Sequence, residues 1–441
     1  MVFFIFGVLP VLVSFTRKLE VSANFPYLTN LEELVLLLLL PRVVIGFRQI
    51  TLQPLGLIAI GLYSCYWFTG LVSGLLASAP LKPLLFQSVL DLRLPLVLCV
   101  IAGTPSLEKL LSQFAILAKI VLVACVPLIL WQYLNTESYN QIFPMGSHKQ
   151  LFLLGPDLKA HRAVGIFRHP SELAAFSAFF VVYFGFYYTQ ANETKQLLWC
   201  ALSVCLLTLS LQRLEIVGLL FSFATTVLLF SQQKHRLIAF GSVSIIGIIF
   251  SFALIYQLPV ILEQYNITEF ASAVAARTVF YVHAFVLAED FFPIGTGFGT
   301  YGGWSAAIFG SQFYDLFSFD RYWWFVQNKY LVDTYWPHVI GETGVLGSLF
   351  LFAFILDIFA WLLWSGQRIM HIRFLHNQLQ PQYATQAAFS MLVFVLINSL
   401  ASSNLMVQND IFLGFLLAGY IWQTNYRYSV NSRTMPRHCI K

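Results

Sequence analysis

The sequence predicts an all-α polytopic membrane protein of about 12 transmembrane helices (11–12). Of 441 residues, 58% are hydrophobic and only 10% are charged, against about 25% charged in an average soluble domain. Mean hydropathy is +0.74. The apolar residues fall in continuous runs rather than in alternation, which excludes a closed β-barrel. Lys and Arg number 25 and Asp and Glu 20, too few to cover a protein of this size. A water-soluble enzyme, a disordered scaffold and a nucleic-acid binder are therefore excluded. The formal charge of +5 bears on topology rather than on anionic partners.

Each span follows from an apolar run. The runs lie at about 1–15, 30–47, 54–76, 84–103, 108–134, 172–190, 196–211, 214–232, 236–256, 338–364, 385–404 and 409–424. Pro41 interrupts the second and Pro95 the fourth, so the first half is where the count is least fixed. Met1 to Phe15 lacks a basic n-region and a small-residue cleavage site, and reads as a retained first span. Twelve spans use roughly 240 positions and leave roughly 200 for loops, too many for a minimal channel. The cysteines Cys65, Cys99, Cys125, Cys200, Cys205 and Cys439 have no metal-ligand spacing and read as reduced packing residues.

Orientation comes from Lys and Arg in short connections. Lys234 and Arg236, then Arg368, His371 and Arg373, then Arg427, Arg433, Arg437 and Lys441 share one side, the cytoplasmic one. The division is 1–134 N-terminal helices, 135–171 a basic outer loop, 172–256 central helices, 257–337 a large outer loop, 338–424 C-terminal helices and 425–441 a cytoplasmic tail. Arg17 and Lys18 also land outside. Basic residues on an outer face run against the topogenic bias, so Lys149, Lys159, Arg162 and Arg168 have another task there. The second loop carries the opposite net charge, and its density of Phe, Tyr and Trp fits a small cap on the membrane surface.

Four stretches carry the candidate chemistry. Arg162-Ala-Val-Gly-Ile-Phe-Arg168-His-Pro170-Ser171 leads into a span, so two guanidiniums and a helix start form an anion site or, alternatively, a contact to lipid headgroups. Ser210-Leu-Gln-Arg213-Leu-Glu215 sets an arginine between apolar runs, either as a second phosphate contact or self-paired with Glu215. Arg277 precedes Pro293-Ile-Gly295-Thr-Gly297-Phe-Gly299-Thr-Tyr-Gly302. That stretch matches G-x-G-x-x-G formally, but an outer membrane loop lacks the βαβ context of a dinucleotide fingerprint. Its glycines fit a tight turn and close approach of a ligand.

The fourth stretch is Asp333-Thr-Tyr335-Trp336-Pro-His338-Val-Ile-Gly-Glu342. His338 and Glu342 are four apart on one helix face, where a carboxylate can orient an imidazole acting as general base. The alternative is an interfacial helix cap. Asp333 and Glu342 are rival bases, and no third ligand completes a zinc site. His161 and His283 are lone histidines of the structural kind. Tyr301, Trp304, Tyr322, Trp323, Trp324, Tyr335 and Trp336 offer flat faces to sugar rings or form an interface belt.

In this order the motifs over about residues 155–350 resemble the O-antigen polymerase and ligase superfamily of membrane glycosyltransferases. They are Arg162 to Pro170, Ser210 to Arg213, the Arg277 helix, the Pro293 to Gly299 glycines, and His338 to Gly347. The resemblance implies a GT-C-like architecture with a periplasmic cap in the bacterial inner membrane. It implies an enzyme that uses a glycan on undecaprenyl diphosphate, with neither metal nor cofactor, and a chain-length regulator as partner. Arg162, Arg168, Arg213 and Arg277 are implied to hold the diphosphate, with Gly295, Gly297, Gly299, Tyr335 and Trp336 beside the glycan. A histidine placed like His338 is implied to activate the acceptor hydroxyl in ligases. Here it stands in Asp-Thr-Tyr-Trp-Pro-His-Val-Ile-Gly-Glu, where ligases often follow it with an amide or small polar residue, and that tilts the expectation toward a polymerase. A ligase acting on lipid A core or protein is the alternative. A flippase would need inverted repeats and mid-membrane charges, and neither is visible.

Overall fold

The computed structural model describes residues 1–18, 38–143, 150–152, 159–191, 193–230, 268–369 and 381–434. The expected span at 236–256, Lys149, and His371 and Arg373 lie outside the described residues.

A π-helical turn, Phe4–Val8, runs into α1 (Leu9–Lys18). Then follow α2 (Leu40–Thr51), α3 (Pro54–Leu76), α4 (Leu81–Asp91), α5 (Arg93–Ala102), α6 (Leu107–Leu134) and α7 (Thr136–Ile142). The strands β1 (Gln150–Phe152) and β2 (Lys159–His161) pair antiparallel. Beyond them come α8 (Pro170–Ala191), α9 (Thr194–Leu209), α10 (Arg213–Phe230) and α11 (Thr268–Asp290). The short helices α12 (Trp304–Phe309), α13 (Gln312–Leu316) and α14 (Trp323–Val326) precede the long α15 (Trp336–Ile369), α16 (Pro381–Ser399) and α17 (Gln408–Thr434).

Six stretches among the described residues are long and apolar enough to cross a membrane: Pro54–Leu76, Leu81–Ala102, Leu107–Leu134, Pro170–Tyr188, Arg213–Phe230 and Trp336–Ile369. Shorter apolar helices run at Phe4–Phe15, Thr194–Leu209 and Tyr383–Ser399. The chain is a multi-pass membrane protein. Proline at a first turn costs no hydrogen bond, and Pro54, Pro170 and Pro381 stand at their helix starts. Ser106 caps α6 by accepting from the Lys109 amide.

Two elements depart from the simple run pattern. The run expected at 84–103 is broken at Leu92 into α4 and α5, because Pro95 cannot donate into a continuing helix. The region 257–337, read as a loop, contains the 23-residue helix α11, which packs along α15. Around it Phe280, Tyr301, Tyr314, Phe319 and Trp324 form a separate hydrophobic core. Tyr301 and Trp324 are therefore packing residues, while Trp304 is 39% exposed.

Outward faces of the long helices are apolar, as with Leu57, Phe68 and Leu75 on α3 and Ile116, Ile120 and Val123 on α6. That is how a bundle meets hydrocarbon, with its backbone groups satisfied inside each helix. Inside, rings stack: Phe6 on Phe412 at 4.1 Å, and Trp361 on Trp422 at 4.2 Å between ring centres. Trp361 also donates to Gln53 at 2.9 Å, tying the far end of α15 to the start of α3. The opposite end holds the loops expected outside.

Candidate active site

At that end the segment before α8 is fastened on two sides. Gln132, near the end of α6, donates to the Arg162 carbonyl at 2.8 Å and accepts from the Val164 amide at 3.3 Å. The Ala163 amide donates to the Leu209 carbonyl at 2.9 Å. Gly165 turns the chain at φ +55°, where a Cβ would lie 2.5 Å from Cys125 Sγ, so a residue without a side chain is required. The strap holds Arg162 still and half-buried, with its Nε buried and lacking a hydrogen-bond partner. Burial pushes its guanidinium below the usual arginine range, with Arg213 nearby adding to this and Glu215 opposing it.

Arg213 opens α10 two residues after Leu211, whose φ is +52°. Glu215 is buried, with one carboxylate oxygen unpartnered, and it lies within Coulombic reach of both Arg162 and Arg277. Arg277 on α11 pairs with Asp333 at 3.5 Å, each side chain over a third exposed, while its Nε is buried without a partner. Three of the four predicted arginines thus converge from segments far apart in sequence. Arg168 is exposed; its amide donates to Ser14 Oγ at 2.8 Å, and Ser14 in turn donates to Glu172. Those bonds dock the end of α1 onto the start of α8, placing the Arg17 and Lys18 segment at this end too.

Asn398 on α16 completes the cluster. It is fully buried against Gly218, one turn beyond Glu215, and both atoms of its amide lack partners. Its neighbours tie the helices together: Trp336 donates to Ser399 at 3.0 Å and Tyr281 to the Leu400 carbonyl at 2.7 Å. A buried polar group without a partner costs roughly 1–3 kcal/mol. Four such groups lie in this region: Arg162, Glu215, Arg277 and Asn398.

On the other side of the α15 start lies a second polar nest. His338 is fully buried, 3.7 Å from Asp91 Oδ1, and neither ring nitrogen has a hydrogen-bond partner. Asp91 ends α4 and is held by Tyr66 and Gln87, both at 3.3 Å, while Tyr63 donates to its backbone carbonyl. Tyr335 stands edge-on to the imidazole, 4.9 Å between ring centres, and bonds Tyr66. Trp336 is half-buried beside it.

Glu342 is fully buried within Coulombic reach of Asp91 and Tyr66 in this nest, but its hydrogen bonds go to the glycine turn. One of its carboxylate oxygens accepts from the Tyr301 amide at 3.0 Å, and the Gly299 and Thr300 amides also bond the carboxylate. The glycine turn is locked in the same place. Thr296 and Gly297 amides donate to the Gly341 and Glu342 carbonyls at 3.0 and 2.7 Å. A Cβ on Gly295 (φ +73°) would lie 2.4 Å from the Gly344 nitrogen, and one on Gly297 (φ +93°) 2.0 Å from Gly74 Cα. Gly299 likewise abuts the Pro83 carbonyl. The close approach these glycines permit is to the backbones of α3, α4 and α15. His283, outside both nests, stacks on Phe317 at 4.2 Å, and burial lowers its pKa.

Asp91 and Asn398 were not singled out from the sequence. Each is an ionisable or amide side chain inside an apolar run, the signal that marks function in membrane helices. Among the described residues no group of three His, Cys, Asp or Glu side chains is placed to share a metal ion. The five described cysteines are thiols rather than disulfides.

The described residues thus form a polytopic helical bundle with clustered arginines at one end and a buried His338–Asp91 pair. Residues 198–352, about a third of the chain, match a family model described as O-antigen ligase. The match supports the O-antigen ligase and polymerase superfamily, whose members are membrane glycosyltransferase-like enzymes. It covers Arg213, Arg277, the glycine turn and the His338 stretch, and stops short of Arg162 and Asp91. No curated protein matches the chain.

Proposed function

We propose that the protein is a glycan polymerase of the bacterial inner membrane. It transfers a glycan from undecaprenyl diphosphate onto the hydroxyl of another lipid-linked repeat unit at the periplasmic face. The observation that carries this reading is the convergence of Arg162, Arg213 and Arg277, two of them with unsatisfied buried donors. Planar guanidiniums clasp phosphate oxygens bidentately. A lipid diphosphate leaves with its charge spread over those oxygens, and preorganised cations stabilise that charge as it develops.

In the reaction, the acceptor hydroxyl oxygen bonds to the anomeric carbon from the face opposite the diphosphate. The glycosidic C–O bond to the diphosphate breaks with inversion, and the acceptor's proton passes to a base. We assign that base to His338, with Asp91 orienting the ring. Asp333 then positions Arg277, and Glu342 anchors the glycine turn. His338 is enclosed, so acceptor access requires the segment from Asn328 to Tyr335 to lift. Asn328 (φ +51°) and Tyr330 (φ +63°) hold that segment in left-handed conformations, the kind of stored strain found where loops move.

The test uses purified full-length protein with a lipid-diphosphate-linked repeat unit in the presence of EDTA. Wild type is expected to build a ladder of longer lipid-linked glycans, and Arg162→Ala and Arg277→Ala to lose it. No elongation of a verified donor by wild type would reject the polymerase. A second reading, a ligase, is favoured by the description of the matching family. It predicts instead a single transfer to lipid A core.

A further inference from the structure

We propose that the connection between α16 and α17, residues 399–407, is the floor of the substrate chamber and binds the first sugar of the donor, the neutral pyranose attached to the diphosphate. The inference rests on the diphosphate reading above and names what lies beside that group.

The connection is recessed. Gln423 of α17 donates to the Thr104 carbonyl and accepts from the Leu107 amide at 3.4 Å, at the turn between α5 and α6. From there α17 rises only fifteen residues to its start at Gln408, about 22 Å. α16 gives a similar height. Its Thr385 touches α15 at Gly366, and fourteen residues, about 21 Å, separate Thr385 from Ser399. The 23 residues of α3 rise about 34 Å from the same end. A hydrocarbon core is about 30 Å thick, so the connection crosses the bundle inside the membrane's depth. Irregular backbone is tolerated there only where it is packed in protein or lines water. Leu405 and Met406 are packed, in the 3₁₀ turn Asn404–Met406. Leu400 is 48% exposed, and Ala401, Ser402 and Ser403 are partly exposed. The open part therefore lines a wet recess.

Its two ends are fastened to the two halves of the site. At one end Asn398, against Gly218, belongs to the arginine cluster. Ser399 accepts from Trp336 at 3.0 Å and the Leu400 carbonyl from Tyr281 at 2.7 Å. At the other end the Met406 carbonyl accepts from Arg93 at 3.3 Å, two residues beyond the Asp91 that faces His338. A sugar bonded to a diphosphate on the arginines, with its anomeric carbon open to a hydroxyl at His338, lies over this stretch.

The chemistry suits a neutral ring. Residues 399–407, Ser-Leu-Ala-Ser-Ser-Asn-Leu-Met-Val, carry no charge, so they hold neither phosphate nor ammonium. Ser402 donates to the Asn398 carbonyl at 2.7 Å and keeps lone pairs to accept with. Ser403 lends its carbonyl to the Met406 amide at 2.8 Å, and its hydroxyl is left to donate and accept. Leu400 adds an apolar face. The hydroxyls of a pyranose, each both donor and acceptor, and its C–H face match that set.

The experiment measures the affinity of the purified full-length protein for undecaprenyl diphosphate, bare or carrying N-acetylglucosamine or galactose. At least one sugar-bearing lipid is expected to bind about fivefold tighter than the bare one, the gain from one net hydrogen bond. Ser403→Ala should bring the two to parity and Ser403→Thr should keep the gain, with affinity for the bare lipid the same in both. Should Ser403→Ala not fold, Leu400→Ala provides the second reading, about a threefold loss confined to the sugar-bearing lipid. Arg277→Ala should weaken all three lipids alike. A bare lipid that does not bind, or binding indifferent to Arg277→Ala, rejects the diphosphate site and the floor with it. Normal binding of the bare lipid with no gain from either sugar, or with a gain that survives Ser403→Ala and Leu400→Ala, overturns the floor alone.

Discussion

Arg277 is partly exposed and shares its charge with Asp333 across 3.5 Å. Such a pair contributes little to folding, typically about 0–1 kcal/mol, so its value lies in aiming the guanidinium. Arg277→Ala should lower turnover by about 10²–10³, the usual loss for one donor to a developing oxyanion. Arg277→Lys should recover only a small part, because an ammonium cannot make the planar fork. Asp333→Asn keeps the arginine and should cost far less. A steady-state elongation assay compares all three. At His338 the prediction concerns coupling. If Asp91 acts through the imidazole, His338→Gln with Asp91→Asn should be no slower than His338→Gln alone, since groups acting as one unit are not additive. Additive losses would separate the two residues. The arginines were readable because a basic residue set between apolar runs must either pair or hold an anion to be tolerated there. Asp91 was not, because Leu90-Asp91-Leu92 reads as an incidental acid inside a span until the fold brings Tyr63, Tyr66 and His338 around it.

Among the elements, α15 is the informative one. Gly344 breaks it with φ +62° and ψ −161°, and the gap is filled by Gly295. That backbone conformation is open essentially to glycine alone. Gly344→Ala should destabilise the protein by about 1–3 kcal/mol from strain alone, visible as a fall of several degrees in the melting temperature of the purified protein. Gly61→Ala on α3, where a Cβ meets nothing, should leave it unchanged or raise it, since alanine favours the helix. Six of the twelve expected runs were legible as helices long and apolar enough to span among the described residues: the run at 54–76 coincides with α3, and those at 108–134 and 214–232 match α6 and α10 within a residue or two. The break at Leu92 and the helix α11 were not. A proline in an apolar run signals interruption without saying how the halves continue. The Thr268–Asp290 sequence is too polar to read as a span, yet helical once it has α15 to pack on.

For the whole molecule the prediction is orientation. Lys and Arg in the short connections assign the arginine cluster to the periplasmic face and the end of α15 to the cytoplasm. In a cysteine-free background, Asn328→Cys should react with a membrane-impermeant thiol reagent in intact spheroplasts. Arg368→Cys should react only after the membrane is opened. The reverse pattern would place the arginines in the cytoplasm and end the case for a periplasmic transferase. Charge bias and loop length were readable over the full chain. The convergence of Arg162, Arg213 and Arg277 was not, because periodicity within a helix carries no information about which helices are neighbours.

The fastening of the glycine turn reaches beyond the residues it locks. Ser73 donates to the Gly295 carbonyl, Ser305 to that of Pro83 at 2.8 Å, and the Ser305 amide to Gln87 at 3.2 Å. The stretch that carries the family resemblance is therefore finished by the first hundred residues of the chain. Cut out and transplanted into an unrelated helical host, residues 198–352 would arrive without Asp91, without Arg162 and without the wall against which their glycines close. The heritable module is the complete bundle, and a chimaera between two such proteins should work only when its junctions keep α3 and α4 with the α15 they evolved to meet.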